Sequence, residues 1–179
     1  NHPKKDFITI IKAAKLLINN GNHNFEVLFL GKGFDKLKKI SDDLNLSKII
    51  HFKFLPPNQN FNKNQILEVP SQSLINSYIS SNALIMTSLI EGYPNVMAEA
   101  MAAKLPIISA NSPGSLDIIQ NEKYGLIFQQ RNEKDLASLM LKLLTSRRIQ
   151  NKYSNLSKKR SKQLCHSLTI KKYTKAFNS

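Results

Sequence analysis

Short apolar runs alternate with amphipathic stretches along most of this chain, and this alternation restricts the folds that it can adopt. The longer stretches carry apolar residues at helical spacing, as in 5–20. The short runs are predicted to be strands, and they occupy residues 25–30, 49–55, 83–86, 104–110 and 125–128. Strands that alternate with helices form parallel sheets with right-handed crossovers. We therefore predict an α/β fold with a parallel sheet.

The predicted helices are placed by their apolar stripes and by the residues at their ends. Asn20-Gly21-Asn22 ends the first helix, and Asn132 begins a later one as a cap. The helices are predicted at 5–20, 34–44, 71–80, after Glu91, at 115–120 as one or two turns, from Asn132 to 144, and at 147–179 with a break near Ser167. Residues 56–70 are rich in Asn, Gln and Pro and are predicted to form a surface loop.

Two glutamates eight positions apart, Glu91 and Glu99, follow the strand at 83–86. The first is predicted on the loop at the carboxyl end of that strand, and the second just over one turn into the next helix. Ligands of open α/β sheets bind at this edge. The amino end of the helix offers amides and partial positive charge to phosphate, and carboxylates suit a vicinal diol. Gly92 lets the backbone approach a ligand, and Pro94 suits the start of a helix. The pattern indicates a small polar ligand that carries phosphate.

The run Glu91-Gly92-Tyr93-Pro94-Asn95, followed by a helix with Glu99, resembles the donor-site motif of a known enzyme family. This family is that of the retaining nucleotide-sugar glycosyltransferases with two Rossmann-like domains, of the group 1 or family 4 type. Other segments match the family in order and spacing: Lys5-Asp6-Phe7, 104–110, 113–119 and 124–128. The resemblance covers most of residues 4–145 and implies that the chain is the carboxyl-terminal, donor-binding domain. It also implies the fold of such a domain, a Rossmann-like three-layer parallel sheet with helices on both faces.

The resemblance implies a role for each residue of the motif. Glu99 would hold the ribose hydroxyls, and Glu91 would hold the hydroxyls of the transferred sugar. The residues that would shape the sugar pocket are Tyr93, Pro94, Asn95 and Val96. All of them except the proline would also offer backbone amides to the phosphates. No metal or other cofactor is expected, because the helix dipole and basic side chains replace the metal in this family.

Three further segments are implied to face the same ligand. Lys5 would neutralise the departing diphosphate, with Lys4 as the alternative if the register differs by one. Gly31 and Gly33 would place flexible backbone at the same sheet edge, although a simple turn explains this pair nearly as well. The nucleotide base would bind backbone groups near Phe54-Leu55-Pro56.

The implied function is transfer of a hexose-type sugar, with retention, from a nucleoside-diphosphate sugar to a glycan or lipid-linked acceptor. The acceptor would bind mainly in a separate amino-terminal domain, so this chain would be inactive alone. We assign residues 1–146 to the sugar-nucleotide domain, with its first strand missing, and 147–179 to a basic helical tail. Lys104 replaces the usual glycine, so we expect a turn that does not need a positive φ. Asp117 stands where a glutamate is commoner.

The net charge of +14 is concentrated in the last quarter of the chain, because 11 of the 26 Lys and Arg residues follow Asp135, the last acidic residue. This asymmetry indicates either an anionic partner or a solvated helix face. The chain carries no nucleic-acid motif, so we expect no nucleic acid as partner and a peripheral contact with an anionic membrane. A single cysteine, Cys165, fits a reducing compartment, and we expect a cytoplasmic location.

Two other functions stay open at this point. A non-catalytic basic α/β module would grip nucleic acid or an anionic membrane, which the charge supports but the two carboxylates do not. A different Rossmann-like enzyme would bind a dinucleotide, but Gly31-x-Gly33 lacks the third glycine of that motif. The four histidines and Cys165 have no spacing typical of a metal site.

Overall fold

The computed structural model describes residues 3–55 and 70–164 of the chain. A short 3-10 helix, Pro3–Lys5, precedes the first α-helix. The helices are α1 (Phe7–Asn19), α2 (Asp35–Asp43), α3 (Gln72–Ser80), α4 (Asn95–Ala102), α5 (Pro113–Ile119), α6 (Glu133–Thr145) and α7 (Arg147–Leu164). The strands are β1 (Val27–Leu30), β2 (Ile50–Lys53), β3 (Leu84–Met86), β4 (Ile107–Ala110) and β5 (Leu126–Phe128). The predicted order of strands and helices is confirmed, whereas the predicted loop at 56–70 and the predicted break near Ser167 lie largely outside the described residues.

All strand pairings among the described residues are parallel, which confirms the Rossmann-like α/β class. β1 pairs with β2, and β4 lies between β3 and β5. The strands therefore fall into a two-stranded and a three-stranded sheet, where a single sheet was predicted. The difference arises because β1 and β3 each leave one edge without a strand partner in the part of the chain that the structure describes.

Two apolar clusters cover the two faces of the strands and give the molecule three layers. One cluster joins both sheets to α1 and α6, and it includes Val27, Ile50 and Ile108. The other cluster packs α3, α4 and α5 against β4 through Ile107. Since successive residues of a strand point to opposite faces, Ile107 and Ile108 anchor the two layers of helices on one central strand.

The basic helix α7 is packed against α4 and α6 through both apolar and polar contacts. Tyr153 belongs to one apolar cluster, and Leu156 packs against both. The Ser157 hydroxyl is buried and donates a hydrogen bond to the Leu105 carbonyl at 2.6 Å. The Arg160 guanidinium donates to the carbonyls of Asp117 and Ile118 at 3.0 and 2.7 Å. These carbonyls close α5, where the last carbonyls of a helix lack helical partners and attract cations. One arginine of the basic segment therefore has a structural role.

The turn after α4 departs from the sequence prediction. Lys104 has a φ of +63°, so this turn does adopt the left-handed conformation that glycine favours. The Lys104 amide bonds to the Met101 carbonyl, and the Leu105 amide bonds to the Ala100 carbonyl. These two bonds form a Schellman motif, which satisfies the last carbonyls of the helix and requires a left-handed residue. The prediction was wrong because the helix end dictates the conformation whichever residue occupies the position.

Lys104→Gly is therefore expected to stabilise the domain. Lys104 is exposed, so the substitution loses little packing. Glycine removes the strain of the left-handed conformation in the folded protein, and this gain is larger than the cost of the entropy that glycine adds to the unfolded chain. We expect a gain of about 0.5–1 kcal/mol in the free energy of unfolding, measured by urea denaturation. Lys142→Gly, in the exposed part of α6, is the control and should destabilise the domain by about 1 kcal/mol. Equal destabilisation by both variants would contradict the assignment of strain to Lys104.

Candidate functional site

The loop that carries Glu91 leaves the carboxyl end of β3 and is held from one side by the start of the chain. The Thr87 hydroxyl, buried at the end of β3, donates to the Lys5 carbonyl at 2.6 Å. The Leu89 amide donates to the Lys4 carbonyl at 2.7 Å. These bonds fix the backbone of the Pro3–Lys5 helix beside the Glu91 loop, while both lysine side chains are exposed. The predicted cation and the predicted carboxylate therefore belong to neighbouring segments.

The same loop is held from the other side by the connections that follow β4 and β5. The Gln130 side-chain amide donates to the Leu89 carbonyl at 2.8 Å, and the Gln130 backbone amide bonds to the Asn111 side chain. The Gly114 amide, in the first turn of α5, donates to the Glu91 carbonyl at 3.2 Å. Three segments distant in sequence thus hold the Glu91 loop in place.

Gly114 is where the backbone of α5 comes closest to the Glu91 loop. An ideal Cβ at this position would lie 2.5 Å from the Glu91 carbonyl oxygen and closer still to the Gly92 carbonyl oxygen. Both neighbours are backbone atoms, which cannot move aside by changing rotamer. Only glycine therefore allows this approach, and sequence reasoning had not identified the residue as part of the site.

Helix α4 brings the second glutamate to the same edge. The helix begins at Asn95, with Pro94 as its extended N-cap residue, and Glu99 lies on the same face one turn later. Glu99 is half-buried, and its Oε2 accepts a hydrogen bond from the Tyr78 hydroxyl at 2.9 Å. Val96 is half-buried, and Tyr93 is 53% exposed. The predicted position of Glu99 just over one turn into the helix is confirmed.

Gly31 and Gly33 lie on the loop at the carboxyl end of β1, with φ values of +140° and +73°. Both values fall in the region that favours glycine, which is common in turns, so a simple turn also accounts for this pair. An open groove of about 350 Å³ lies beside it, lined by 31–35, Lys38 and 52–54. Phe54 is 52% exposed there, with the Lys32 ammonium 5.0 Å from the centre of its ring.

Aromatic contacts place the glycine loop next to the start of the chain. The ring of Phe7, two residues after Lys5, lies 5.7 Å from the ring of Phe34, the residue after Gly33. Since the Lys5 carbonyl also bonds to the loop after β3, the start of the chain contacts both the Glu91 loop and the residue that follows the glycine loop. The predicted site residues thus come from consecutive carboxyl-end loops and from the adjacent segment.

The arrangement offers three kinds of group to a ligand at this edge. Carboxylates of Glu91 and Glu99 accept hydroxyl hydrogen bonds, the amino end of α4 presents backbone amides, and lysines of two segments supply positive charge. Within 3–55 and 70–164, no group of three or more His, Cys, Asp or Glu side chains is placed to hold a metal ion. His51 lies 3.6 Å from Glu26, near the amino end of its sheet.

Three residues of this region were missed by sequence reasoning. Tyr78 was counted only as part of a short helix, Gly114 only as part of a family segment, and Gln130 not at all. Their partners lie 21, 23 and 41 residues away along the chain. A local sequence pattern could have suggested Gly114 through the Pro-Gly dipeptide, but no local pattern connects Tyr78 or Gln130 to the site.

Comparison with known proteins identifies sequences and structures similar to this chain. The family model described as glycosyl transferases group 1 matches residues 2–163. The chain is 24% identical over 158 residues to the capsular polysaccharide biosynthesis glycosyltransferase CapM of Staphylococcus aureus, an alignment that covers 82% of this chain and 38% of CapM. It is 26% identical over 142 residues to the lipopolysaccharide 1,6-galactosyltransferase of Escherichia coli strain K12, covering 78% of this chain and 35% of that protein.

Among solved structures, HepE of Anabaena in complex with UDP-glucose superposes with a TM-score of 0.74 at 12% identity. The superposition covers 99% of this chain and 45% of the HepE chain. At this identity the similarity establishes the fold alone. The chain spans less than half the length of each of these three proteins.

Proposed function

The chain belongs to the glycosyl transferases of group 1, and we propose that it forms the part of such an enzyme that binds the nucleoside-diphosphate sugar. The membership, based on a match to residues 2–163, confirms the resemblance predicted from the motifs. It does not favour the alternative of a non-catalytic basic module. The proposed reaction is retaining transfer of a hexose-type sugar to a glycan or lipid-linked acceptor.

The observation that carries this proposal is the convergence of Glu91, Glu99 and the Lys4–Lys5 backbone at the carboxyl edge of the strands. In the proposed complex, Glu99 accepts hydrogen bonds from the ribose hydroxyls and Glu91 from the sugar hydroxyls. The amino end of α4 receives the phosphates, because its amides and dipole favour negative charge. Lys5 reaches over from the adjacent segment, which its bond to Thr87 holds in place.

These positions suit the charge changes of glycosyl transfer. The bond between the anomeric carbon and the diphosphate oxygen breaks, and the nucleoside diphosphate leaves with the bonding electrons. A bond from the acceptor oxygen to the anomeric carbon forms, and the departing diphosphate takes up the proton of the acceptor hydroxyl. Negative charge therefore grows on the diphosphate, where the Lys5 ammonium and the α4 amides stabilise it. No metal ion is required in this scheme.

The loop glycines and the groove fit the rest of the nucleotide. An ideal Cβ at Gly92 would meet no atom within 4 Å, so the fold itself does not require glycine there and a ligand's approach to the backbone would explain it. We place the base in the groove beside Gly31, where Phe54 offers an exposed ring and Lys32 a cation. The groove lies beside the predicted base-binding segment.

We further propose that the whole enzyme adds an amino-terminal domain and one strand to this chain. A doubly wound sheet of order 3-2-1-4-5-6 would place its first strand between β1 and β3, each of which has one edge without a strand partner among the described residues. Leu28 of β1 is 43% exposed, as expected beside an unfilled position. The amino-terminal domain would supply the acceptor site, and without it the chain would bind donor but not transfer sugar.

The exposed face of α7 is proposed to contact an anionic membrane from the cytoplasmic side. Arg148, Lys152, Lys159 and Lys162 are exposed on this helix, which carries no acidic residue. In the part of the chain that the structure describes, no helix combines the length and apolar character needed to cross a bilayer. Basic residues near an anionic surface each contribute about 1 kcal/mol of attraction.

Cosedimentation with vesicles tests the membrane contact. The double variant Lys152→Glu/Lys159→Glu should lose binding to phosphatidylcholine vesicles that contain phosphatidylglycerol. Lys36→Glu/Lys39→Glu, with the same charge change on exposed positions of α2, should retain most of it. If binding by the unmodified protein did not increase with phosphatidylglycerol, the membrane proposal would be refuted.

Calorimetric titration with UDP, GDP and ADP tests the proposed function. We expect one of the three to bind well above the others, because a built site discriminates between bases. Inorganic pyrophosphate is the control, since a basic protein of net charge +14 attracts any polyanion. Equal binding of pyrophosphate and all three nucleotides, weakened together by salt, would refute the proposed function and indicate a non-specific anion surface.

A further inference from the structure

The hydrogen bond between Tyr78 and Glu99 joins two elements that are distant in sequence. Tyr78 lies near the end of α3, and Glu99 lies in α4, 21 residues later. The tyrosine side chain is only 5% exposed and packs in the apolar cluster that includes Met97 and Met101. Its hydroxyl meets the half-buried Glu99 carboxylate at 2.9 Å. A fixed ring thus presents a polar group to a carboxylate at the edge of the site.

The chemistry of the pair sets the direction of this bond. Tyr78 donates and Glu99 accepts, because a tyrosine hydroxyl carries a hydrogen to donate and a carboxylate offers only acceptor positions. The two oxygens of a carboxylate offer about four acceptor positions in total. The bond from Tyr78 occupies only one of these positions.

Fixing Glu99 before the ligand arrives benefits binding. A glutamate side chain has three rotatable bonds, and ordering it costs on the order of 1–2 kcal/mol. Tyr78, which is itself held by packing, restricts the carboxylate in the folded protein before binding. A vicinal diol requires a defined carboxylate position because its two hydroxyls must be met together. The hydroxyl of Tyr78 thus contributes to affinity for the diol without touching it.

We propose that Tyr78 is a positioning residue that orients Glu99 towards the ribose hydroxyls and so favours ribonucleotides over nucleotides that lack these groups. This inference rests on the proposed function, in which Glu99 binds the ribose. Tyr78 acts only through Glu99, so its contribution depends on the presence of both the carboxylate and the diol.

Tyr78→Phe is the appropriate variant because it removes the hydroxyl and keeps the buried ring. Tyr124→Phe is the matched control: Tyr124 is 1% exposed in the same apolar cluster, but the side chain against its ring, with the guanidinium 5.4 Å from the ring centre, is Arg160 of α7. Both variants are expected to remain folded, which thermal unfolding followed by circular dichroism checks. If the Tyr78 hydroxyl had only a structural role, Tyr78→Phe would lower the stability of the domain without changing its preference for ribonucleotides.

The experiment is calorimetric titration with UDP, GDP and ADP and with the 2′,3′-dideoxy form of whichever binds. Tyr78→Phe is expected to weaken binding of the ribonucleotide roughly three- to tenfold, as for loss of one hydrogen bond. Binding of the dideoxy form should not change, and Tyr124→Phe should alter neither affinity. In a Glu99→Ala background, Tyr78→Phe should have no further effect, because the double-mutant cycle isolates the pair.

The outcomes separate this inference from the function on which it rests. If the unmodified protein binds none of the nucleotides, the proposed function fails and the inference fails with it. If Glu99→Ala weakens ribonucleotide binding but Tyr78→Phe does not, only the role of Tyr78 is refuted. Equal weakening of ribonucleotide and dideoxynucleotide by Tyr78→Phe would also refute it, since the effect would then not pass through the ribose.

Discussion

Gly114→Ala is expected to displace the Glu91 loop, to destabilise the domain and to abolish most of its affinity for a sugar nucleotide. The added Cβ would lie 2.5 Å from the Glu91 carbonyl oxygen and even nearer to that of Gly92. Neither contact can be relieved by a side-chain rotation, so the backbone of one segment must move. The hydrogen bond from the Gly114 amide to Glu91 would be lost with that movement. Overpacking of this kind costs about 1–3 kcal/mol.

Two readouts distinguish the effect of Gly114→Ala from general damage. Chemical denaturation should show the loss of stability, and titration with a nucleoside-diphosphate sugar should show at least a tenfold loss of affinity, since displacement of about 1 Å removes well-formed hydrogen bonds. Gly92→Ala is the control for stability, because its Cβ would meet open space. Unchanged stability and affinity in Gly114→Ala would show that the two backbones do not approach as described.

Glu99→Ala is expected to weaken binding of every nucleoside diphosphate roughly 10- to 100-fold. The reason is that hydrogen bonds to a charged group contribute about 1.5–3 kcal/mol, and the ribose is common to all these ligands. Glu91→Ala should leave the affinity for the nucleoside diphosphate nearly unchanged. It should remove the additional affinity that the sugar confers, because Glu91 is proposed to contact only the sugar.

The control for this pair of substitutions is Glu26→Ala. Glu26 is also a carboxylate, with a side chain 74% exposed, but it precedes β1 and lies at the amino edge of its sheet. Glu26→Ala should change the affinity for neither the nucleoside diphosphate nor the sugar nucleotide, although it changes the net charge by the same amount as Glu91→Ala. Identical effects of Glu91→Ala and Glu26→Ala on the sugar nucleotide would contradict the role given to Glu91.

The sequence was sufficient to predict those parts of the fold that depend on local patterns. The apolar runs placed the five strands of the described residues, and helical spacing placed Glu99 just over one turn into α4. Asn132 was predicted as a cap, and its side chain accepts a hydrogen bond from the Asp135 amide. These features depend on residues close together in the chain, whose periodicity and end signals can be recognised directly.

The contacts that hold the candidate site depend on tertiary structure, and the sequence did not indicate them. Thr87 bonds to Lys5 across 82 positions, and Tyr78 bonds to Glu99 across 21. Such pairs depend on the register of parallel strands and on the distance between packed helices, which no local pattern encodes. The wrong expectation for Lys104 has the same origin, because the two hydrogen bonds that end α4 impose its positive φ.

The division of the strands into two sheets also has a tertiary explanation. Sequence patterns distinguish a strand from a helix but do not show which strands are neighbours. Here β1 and β3 each have one edge without a strand partner among the described residues. A preceding strand in the whole enzyme would complete the sheet and would protect two edges that otherwise tend to pair with other chains.

The most direct test of the proposed site is nuclear magnetic resonance of the isotope-labelled chain, titrated with the nucleoside-diphosphate sugar that calorimetry selects. The account predicts that the amide signals of Gly31, Gly33, Gly92 and the first turn of α4 shift in a saturable manner. Signals from the exposed face of α7 should remain unchanged. Shifts confined to α7, with none at the carboxyl edge of the strands, would contradict the account and show that the ligand binds through the basic charge alone.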